Sequence, residues 1–438
     1  MLKGFIYFSL IYILQIFFGM SHSSAETLDT RWQNALKSFY KKHPQKLSLD
    51  YSQNYFYAPD PQGKSLFANR QLSQIGFTYQ GESRGKNLKA DISYFYSASE
   101  DKHYVNLVDA YYTKKWSRVD LSVGRKLENW SYADQTWSMG LWQPRFMWSR
   151  LRPVQNGLSG VFLAGSVKNF QWTTFASPIS LPEMGPQFVY NEQQFSSANP
   201  WFRPPARYAT VPGLFKSDKI IYNYESPEID RIIFHPSLAG QLKWLKNNYF
   251  CQVNFAYKPM SQLVTSVYPY LDNSPPGNSR PEVDVYPFVA DHRLVGGECG
   301  RQQTKGWHGY ISVNHESPVR ENRPENWVVK RTLETSMLTT LLGYQRGHTN
   351  IFFSLMNLWG GDDQDSGRLA SPTKSFFEQR YDYYRALKLG VTQKVSSLMW
   401  DVDVIWDFEQ EAWSWLSEVS YEFKNSLKTF IQVDGIAL

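Results

Sequence analysis

Cysteine is scarce in this chain, and the motifs of common metal sites are missing. Its 438 residues include only two cysteines, Cys251 and Cys299, with no CxxC pair and no zinc-type spacing. No HExxH or P-loop sequence occurs either. We therefore expect no enzymatic activity, no metal site and no cofactor.

Long hydrophobic runs and a strong charge of one sign are also lacking. After the first twenty or so residues no apolar stretch reaches the roughly 20 residues that a membrane-spanning helix needs. This excludes a bundle of membrane helices. The formal net charge is +6, and the basic residues are scattered along the chain. Nucleic acid is therefore not an expected partner.

The N-terminus has the features of an export signal. Lys3 is followed by an apolar stretch at 5–20, and Ser23-Ser24-Ala25 supplies small residues before Glu26. This pattern predicts a signal peptide at 1–25, cleaved after Ala25, with an uncleaved anchor as the alternative. Apolar residues at helical spacing then predict an amphipathic periplasmic helix at 26–45, with a frayed linker helix as the alternative.

Aromatic residues are abundant, and from residue 46 the hydrophobic pattern has a period of two. Aromatics make up 16% of the chain. In 398–408 and 413–423, apolar residues alternate with acidic or small polar ones. Segments of about 10 to 14 residues are longer than most strands of soluble sandwiches. The pattern predicts an all-β fold, a transmembrane antiparallel β-barrel of about 16 to 18 strands spanning 46–438. A soluble β-protein or a solenoid is the alternative.

The candidate strands do not add up to an even number. Seventeen segments begin near 46, 70, 86, 104, 117, 155, 168, 237, 248, 287, 306, 330, 347, 380, 397, 411 and 427. Bacterial single-chain barrels have even strand numbers. Three explanations stay open: a strand missed within 178–236, an unusual barrel, or a chain shortened by one strand.

The connections alternate in length, which predicts short turns at the periplasmic end and long loops outside. The two cysteines fall near the periplasmic ends of neighbouring strands, where antiparallel pairing brings residues close. We predict a Cys251–Cys299 disulfide, with two free thiols as the alternative.

Charged residues on the polar face of the strands are candidates for the lumen wall. An acidic ladder opposite basic residues would tune ion selectivity, although solvated or paired wall residues would show the same pattern. The predicted lumen residues are Lys89, Arg118, Lys243, Asp401, Asp403, Asp407, Glu418 and Glu422.

The long connection at 128–153 is rich in tryptophan and arginine. Indole faces stack on sugars or cations, and arginine holds carboxylates or phosphates in a bidentate manner. This composition predicts a constriction loop folded into the lumen, with structural packing as the alternative. The predicted constriction residues are Trp130, Trp142, Arg145, Trp148, Arg150 and Arg152.

The segment 123–134, VGRKLENWSYAD, resembles the strand-to-loop segment V-G-R-x-x-x-x-W-G-x-A-D of Gram-negative porin-like outer-membrane proteins, similar in style to alginate-export barrels. The resemblance is specific over 104–190. Ser131 replaces the glycine of the pattern, and similar proteins continue with a further hairpin arm and a terminal aromatic strand.

A barrel of 16 to 18 strands leaves an aqueous channel, so the expected function is an outer-membrane porin for passive diffusion of small polar or charged solutes, a class that the resemblance also implies. A plugged barrel that presents long surface loops, or a polysaccharide exporter, are the alternatives. The expected partners are outer-membrane lipid, lipopolysaccharide, the barrel-assembly machinery and small polar solutes. The sequence leaves the oligomeric state open.

Overall fold

The structure, a computed structural model, describes most of the chain after residue 44. The predicted signal peptide and all but the last residue of the predicted periplasmic helix lie outside the described residues. Those residues are 45–56, 70–82, 88–97, 101–185, 188–197, 205–210, 217–273, 280–302, 305–319, 328–329, 332–362, 381–423 and 427–437.

Strands dominate the described residues, with two short helices, α1 (Tyr132–Trp137) and α2 (Ile229–Ile233). The first strands are β1 (Gln45–Phe56), β2 (Arg70–Glu82), β3 (Leu88–Ser97), β4 (Lys102–Lys115), β5 (Val119–Lys126), β6 (Arg145–Phe146), β7 (Val154–Gln155), β8 (Leu158–Val167), β9 (Phe170–Ser177), β10 (Val189–Asn191), β11 (Gln194–Ser196), β12 (Tyr208–Thr210), β13 (Ser217–Lys219) and β14 (Ile221–Tyr224). The others are β15 (Ser237–Lys246), β16 (Tyr249–Pro259), β17 (Val264–Asp272), β18 (Arg280–Phe288), β19 (Asp291–Arg301), β20 (Gly306–Pro318), β21 (Val328–Val329), β22 (Thr332–Arg346), β23 (Thr349–Asp362), β24 (Arg385–Val395), β25 (Leu398–Asp407), β26 (Ala412–Glu422) and β27 (Leu427–Ala437).

Seventeen of these strands form one sheet that closes on itself. They are β1–β5, β8, β9, β15, β16, β19, β20 and β22–β27, and each pairs antiparallel with the next. The first and last strands then pair in parallel, with Leu47 opposite Leu427 and Ser48 opposite Lys428. Because the direction reverses at every connection, an odd number of strands leaves the first and the last running the same way. Parallel closure is the direct consequence.

This architecture confirms the all-β barrel of 16 to 18 strands, and all seventeen predicted segments correspond to barrel strands. The explanation that a barrel strand was missed within 178–236 is wrong. The described residues there form short strands, β10 to β14, which belong to small separate sheets.

The two ends of the barrel differ in their connections. Short ones, such as 168–169, 247–248 and 347–348, lie at one end, called here the short-turn end. Long ones, such as 127–157 and 178–236, lie at the other, the long-loop end. Parts of the long connections pair with one another, since β14, β18, β17 and β21 form an accessory sheet.

The barrel wall is apolar outside and polar inside, the reverse of a soluble protein. On β16, Val253 and Phe255 are 60% and 53% exposed, whereas Gln252 and Asn254 are 2% exposed. A strand alternates its side chains between two faces, so the apolar set faces outward. The outer face therefore suits lipid contact.

Cys251 and Cys299 lie directly opposite each other on β16 and β19, near the short-turn end. Their Cα atoms are 4.1 Å apart, and the structure pairs them in a disulfide. Among the described residues, no helix is long and apolar enough to cross a membrane.

Candidate functional site

The connection between β5 and β8, residues 127–157, folds into the barrel and is called here the inner loop. It carries α1 and the short hairpin β6–β7. Its apolar side chains join one buried cluster with inward residues of many wall strands. The loop contributes Trp130, Ala133, Trp137, Met139, Leu141 and Trp142. The wall partners include Phe162, Phe175, Ala239, Ala256, Leu294, Met337, Met356 and Ile405.

The beginning of α1 is anchored on Glu298, an inward and almost fully buried side chain of β19. The carboxylate accepts hydrogen bonds from the Ser131 hydroxyl (2.5 Å) and from the backbone N–H groups of Tyr132 (2.9 Å) and Ala133 (3.2 Å). A negative charge also complements the partial positive charge of a helix N-terminus. The barrel wall thus holds the start of this helix in place.

Three further wall residues complete this anchor. Gln252 and Ser312 also donate to the Glu298 carboxylate, both at 2.8 Å. The Trp130 carbonyl accepts from the amides of Gln252 (3.1 Å) and Asn254 (2.5 Å). Since each of these groups is buried, leaving one unpaired costs about 1–3 kcal/mol.

The tryptophans of the inner loop are buried and pack the loop against the wall. Trp130 stacks on Trp142, with ring centroids 6.4 Å apart, and the Trp142 indole N–H donates to Asn314 Oδ1 at 3.1 Å. Trp148 packs edge-on against Tyr104, at 5.8 Å. With their faces covered, these rings offer no stacking surface to a solute. The structural-packing alternative accounts for them.

Asp134 braces the inner loop from within. Its carboxylate accepts from the backbone N–H groups of Leu141 and Trp142, both at 3.1 Å. Burial raises the pKa of Asp134 above its ordinary value, and the two hydrogen bonds oppose that rise only in part. The hydrogen bonds fix the chain reversal that follows α1.

Arg145 is the most heavily paired side chain of the loop and is only 1% exposed. It donates to Glu183 through Nε (2.9 Å) and Nη2 (3.1 Å), and to Asp382 through Nη1 (2.7 Å). The same Nη1 also donates to the Ser138 carbonyl at 2.8 Å. Burial lowers the pKa of this guanidinium, but Glu183 and Asp382 outweigh it and raise the pKa above its ordinary value. Arg145 therefore links the inner loop to two other connections, the one after β9 that contains Glu183 and the one before β24 that contains Asp382.

Asp382 holds two arginines of the inner loop. Besides Arg145, it accepts from Arg150, with 2.8 Å between Arg150 Nη2 and Asp382 Oδ1. Burial raises the pKa of Asp382, but Arg150 and Arg145 outweigh it and bring the pKa below its ordinary value of 3.8. Arg150 and Arg145 are thus committed to a protein carboxylate.

Arg152 extends from the inner loop to the closing strands. Two of its nitrogens, Nε and Nη2, each lie 2.7 Å from the Asp434 carboxylate on β27. Its Nη1 lies 3.5 Å from Glu418 on β26. This bidentate contact ties the loop to the strand that pairs with β1.

The three predicted basic lumen residues have different positions. Lys89 forms an ion pair with Asp109 (2.7 Å), and Lys243 donates to the Tyr132 hydroxyl of α1 (2.6 Å). The prediction for Arg118 was wrong, because it lies in the exposed turn between β4 and β5. β5 begins at Val119, one residue after Arg118, whereas the alternation had placed Arg118 within the strand.

The predicted acidic residues do not form an open ladder. Asp401 accepts from Thr392 (2.8 Å), and Asp403 pairs with Lys388 (2.8 Å). Asp407 accepts from the backbone of the turn that follows β25, and Glu418 pairs with Arg152. Glu422 is half-exposed at the short-turn end and lies 3.6 Å from Lys394. Local pairing accounts for most of these charges.

The sequence-based prediction missed the carboxylates that hold the inner loop. Glu183, Glu298, Asp382 and Asp434 were not singled out, because their partners lie tens to hundreds of residues away. Strand alternation offered one signal, since Glu298 continues the inward positions of β19. Nothing in the local sequence indicated Asp382.

The ion pairs of Asp382 with Arg145 and Arg150 predict that the conductances of the wild type and Asp382→Asn differ in a pH-dependent way. A carboxyl group whose pKa is lowered by folding stabilises the closed loop above its ordinary pKa of 3.8, and this contribution is lost as the pH falls through the lowered value. Asp382→Asn should therefore raise the single-channel conductance above that of the wild type at about pH 7. The difference should vanish once the pH falls below the lowered pKa of Asp382, because the wild-type carboxyl group is then protonated and uncharged as well. A constant difference at all pH values would contradict this prediction.

Comparisons with known proteins match the architecture only distantly. No family model matches the sequence, and no curated protein matches it significantly. A mutant of the Rh. blastica porin has a similar fold at 10% identity, covering 87% of this chain and 100% of that one, with a TM-score of 0.40. Pseudomonas aeruginosa OpdK with vanillate aligns at 9% identity over 88% of this chain and 89% of that one, with a TM-score of 0.44. The function proposed below therefore rests on the residues of this chain.

Proposed function

We propose that this chain is an outer-membrane porin through which small polar or charged solutes diffuse, with the inner loop as its constriction. The observation that carries the proposal is the reversed polarity of a closed seventeen-stranded barrel. An apolar outer face requires lipid, and a polar interior suits water. Barrels of 16 to 18 strands are wide enough to leave an aqueous channel.

The strands and their connections support the membrane placement. Strands of roughly 9–11 residues cross an outer membrane when tilted, and most barrel strands reach this length. In this proposal the short-turn end faces the periplasm and the long-loop end faces outward, in contact with lipopolysaccharide. The barrel-assembly machinery would insert the chain.

The inner loop divides the lumen and would set its selectivity. It contacts wall strands from β15 to β27, and its arginines are already paired with protein carboxylates. Because these arginine charges are neutralised by protein carboxylates, solutes would be selected mainly by their size and their hydrogen-bonding groups. We therefore expect weak ion selectivity.

Single-channel recording tests this proposal. The mature chain, refolded in detergent and checked for folding by heat-dependent gel mobility, is added to a planar lipid bilayer. Stable conductance steps are the expected result. Folded protein that inserts but never conducts would overturn the proposal.

The packing of the inner loop supports a second candidate. Its tryptophans and Arg145 are almost fully buried, as in a plugged lumen, and the long connections form an accessory sheet that a partner could contact. A plugged barrel that presents surface loops would insert without conducting. The same recording therefore separates the two functions.

A further inference from the structure

The short connections of the barrel carry basic residues and no acidic ones. They are the eight segments 83–87, 116–118, 168–169, 247–248, 302–305, 347–348, 396–397 and 423–426. In the sequence these segments contain six lysines or arginines and no aspartate or glutamate. The connections at the long-loop end contain more acidic than basic residues. The two ends of the barrel therefore differ in charge, and the short-turn end is the positive one.

The strand ends next to these turns add further positive charge. The exposed cations on them are Lys114, Lys115, Lys246, Arg346 and Lys394. Glu422 is an exposed carboxylate at the same end, and it lies 3.6 Å from Lys394. Consecutive barrel strands are neighbours in the sheet, so these turns follow one another around the rim. The exposed cations are thus spread along the rim and not gathered at one point.

Exposed aromatic side chains lie beside these cations. The Lys114 Nζ lies 5.5 Å from the ring centroid of Trp116, which is exposed in the β4–β5 turn. Tyr249 is exposed and lies directly opposite Lys246 on the neighbouring strand. Aromatic rings form girdles at the membrane–water interfaces of transmembrane barrels. Cations beside such rings lie at the level of the lipid headgroups.

Two neighbouring turns hold the densest part of this charge. Lys114, Lys115 and Arg118 are exposed at the β4–β5 turn. Lys168 is exposed in the β8–β9 turn, the next one along the rim because β5 pairs with β8. Asp120 lies opposite Lys115 on β5 and can offset that one charge. Lys114, Arg118 and Lys168 therefore keep a surplus of positive charge at the surface.

From this arrangement we infer that the positive rim, the exposed lysines and arginines of the short-turn end, binds the headgroups of acidic phospholipids. Ammonium and guanidinium groups donate strong hydrogen bonds to phosphate oxygens. A lysine or arginine close to an anionic membrane surface strengthens binding to it about fivefold. The inference rests on the membrane placement in the proposed function, in which this end faces the periplasmic leaflet.

Electron paramagnetic resonance on the full chain in proteoliposomes tests the positive rim. The probes are spin-labelled phosphatidylglycerol and spin-labelled phosphatidylcholine, which report the lipid held against the protein. Both leaflets contain the probe, so either orientation of the protein gives the same result. We expect phosphatidylglycerol to be preferred about threefold at low salt. The preference should nearly disappear at about 1 M NaCl, where charges are screened beyond about 3 Å.

A triple variant locates the binding. Lys114→Gln, Arg118→Gln and Lys168→Gln combined should lower the preference for phosphatidylglycerol from about threefold to below about twofold, because the densest part of the rim is removed. The matched control removes the same charge from exposed cations of the long connection 178–236. It combines Arg207→Gln, Lys219→Gln and Arg231→Gln, and it should keep the preference of the wild type.

Equal binding of the two lipids by folded wild-type protein would overturn the inference even if no variant folds. An equal loss of preference in both triple variants would overturn it as well. The same holds if the rim variant alters the ratio of chloride to potassium permeability and leaves the lipid preference unchanged, since the rim would then act on solutes. Lipid preference without conductance refutes the porin function alone, whereas conductance without lipid preference refutes the lipid-binding rim alone.

Discussion

Arg145→Ala is expected to release the inner loop and raise the single-channel conductance several-fold. The substitution leaves Glu183 and Asp382 without the buried guanidinium that pairs with them at 2.9 Å and 2.7 Å. Removing one partner of a buried ion pair costs about 3–5 kcal/mol. A cost of this size shifts the equilibrium between closed and released loop by roughly two to four powers of ten.

Arg231→Ala is a suitable control for this variant. Arg231 is 78% exposed and pairs with Glu228 outside the barrel wall, on α2. Exposed ion pairs of this kind contribute about 0–1 kcal/mol, so its conductance should match the wild type. Unchanged conductance in a folded Arg145→Ala protein would show that the ion pairs of Arg145 do not hold the inner loop in place.

Glu298→Leu is expected to detach the start of α1 from the wall. The carboxylate is the shared acceptor for Ser131, Tyr132 and Ala133, and leucine cannot replace it. Hydrogen bonds to a charged group contribute about 1.5–3 kcal/mol each. Hydrogen exchange at the Tyr132 and Ala133 amides should therefore accelerate by at least about tenfold. Noisier and larger conductance steps should accompany that change.

Glu298→Gln separates the charge from the hydrogen-bonding geometry. Glutamine keeps one acceptor oxygen, so its effect on amide exchange should lie between those of wild type and Glu298→Leu. Glu228→Gln, at an exposed carboxylate directly before α2, is the matched control. Equal exchange rates in Glu298→Leu and wild type would contradict the assigned anchor.

The barrel itself was predictable because its physical cause is local. The alternation of Trp400, Val402 and Val404 with Asp401 and Asp403 follows from a strand that separates lipid from water. Strand number followed from counting such segments, and seventeen was correct although it conflicted with an even count. The pattern cannot show whether an odd set of strands closes, since the contact between β1 and β27 depends on the curvature of the whole sheet.

The inner loop was predictable only in part. The tryptophans and arginines of 128–153 indicated a loop folded inward, but their composition suggested contact with solutes. The structure buries Trp130 and Trp142 in packing and commits Arg145 to Glu183 and Asp382. Local sequence cannot distinguish a guanidinium that awaits a ligand from one that has a distant carboxylate as its partner.

The sequence by itself determined the membrane-type barrel, its range of 16 to 18 strands and the candidate loop, because alternation and composition are properties of neighbouring residues. Only the tertiary structure decided which charges are paired, where Arg118 and Glu422 lie, and that Glu298 anchors α1. It also brought exposed cations from turns far apart in the chain, such as Arg118 and Lys305, to one end of the barrel. The physical reason is that ion pairs and charged surfaces depend on distances across the lumen and around the rim, which only closure of the sheet establishes.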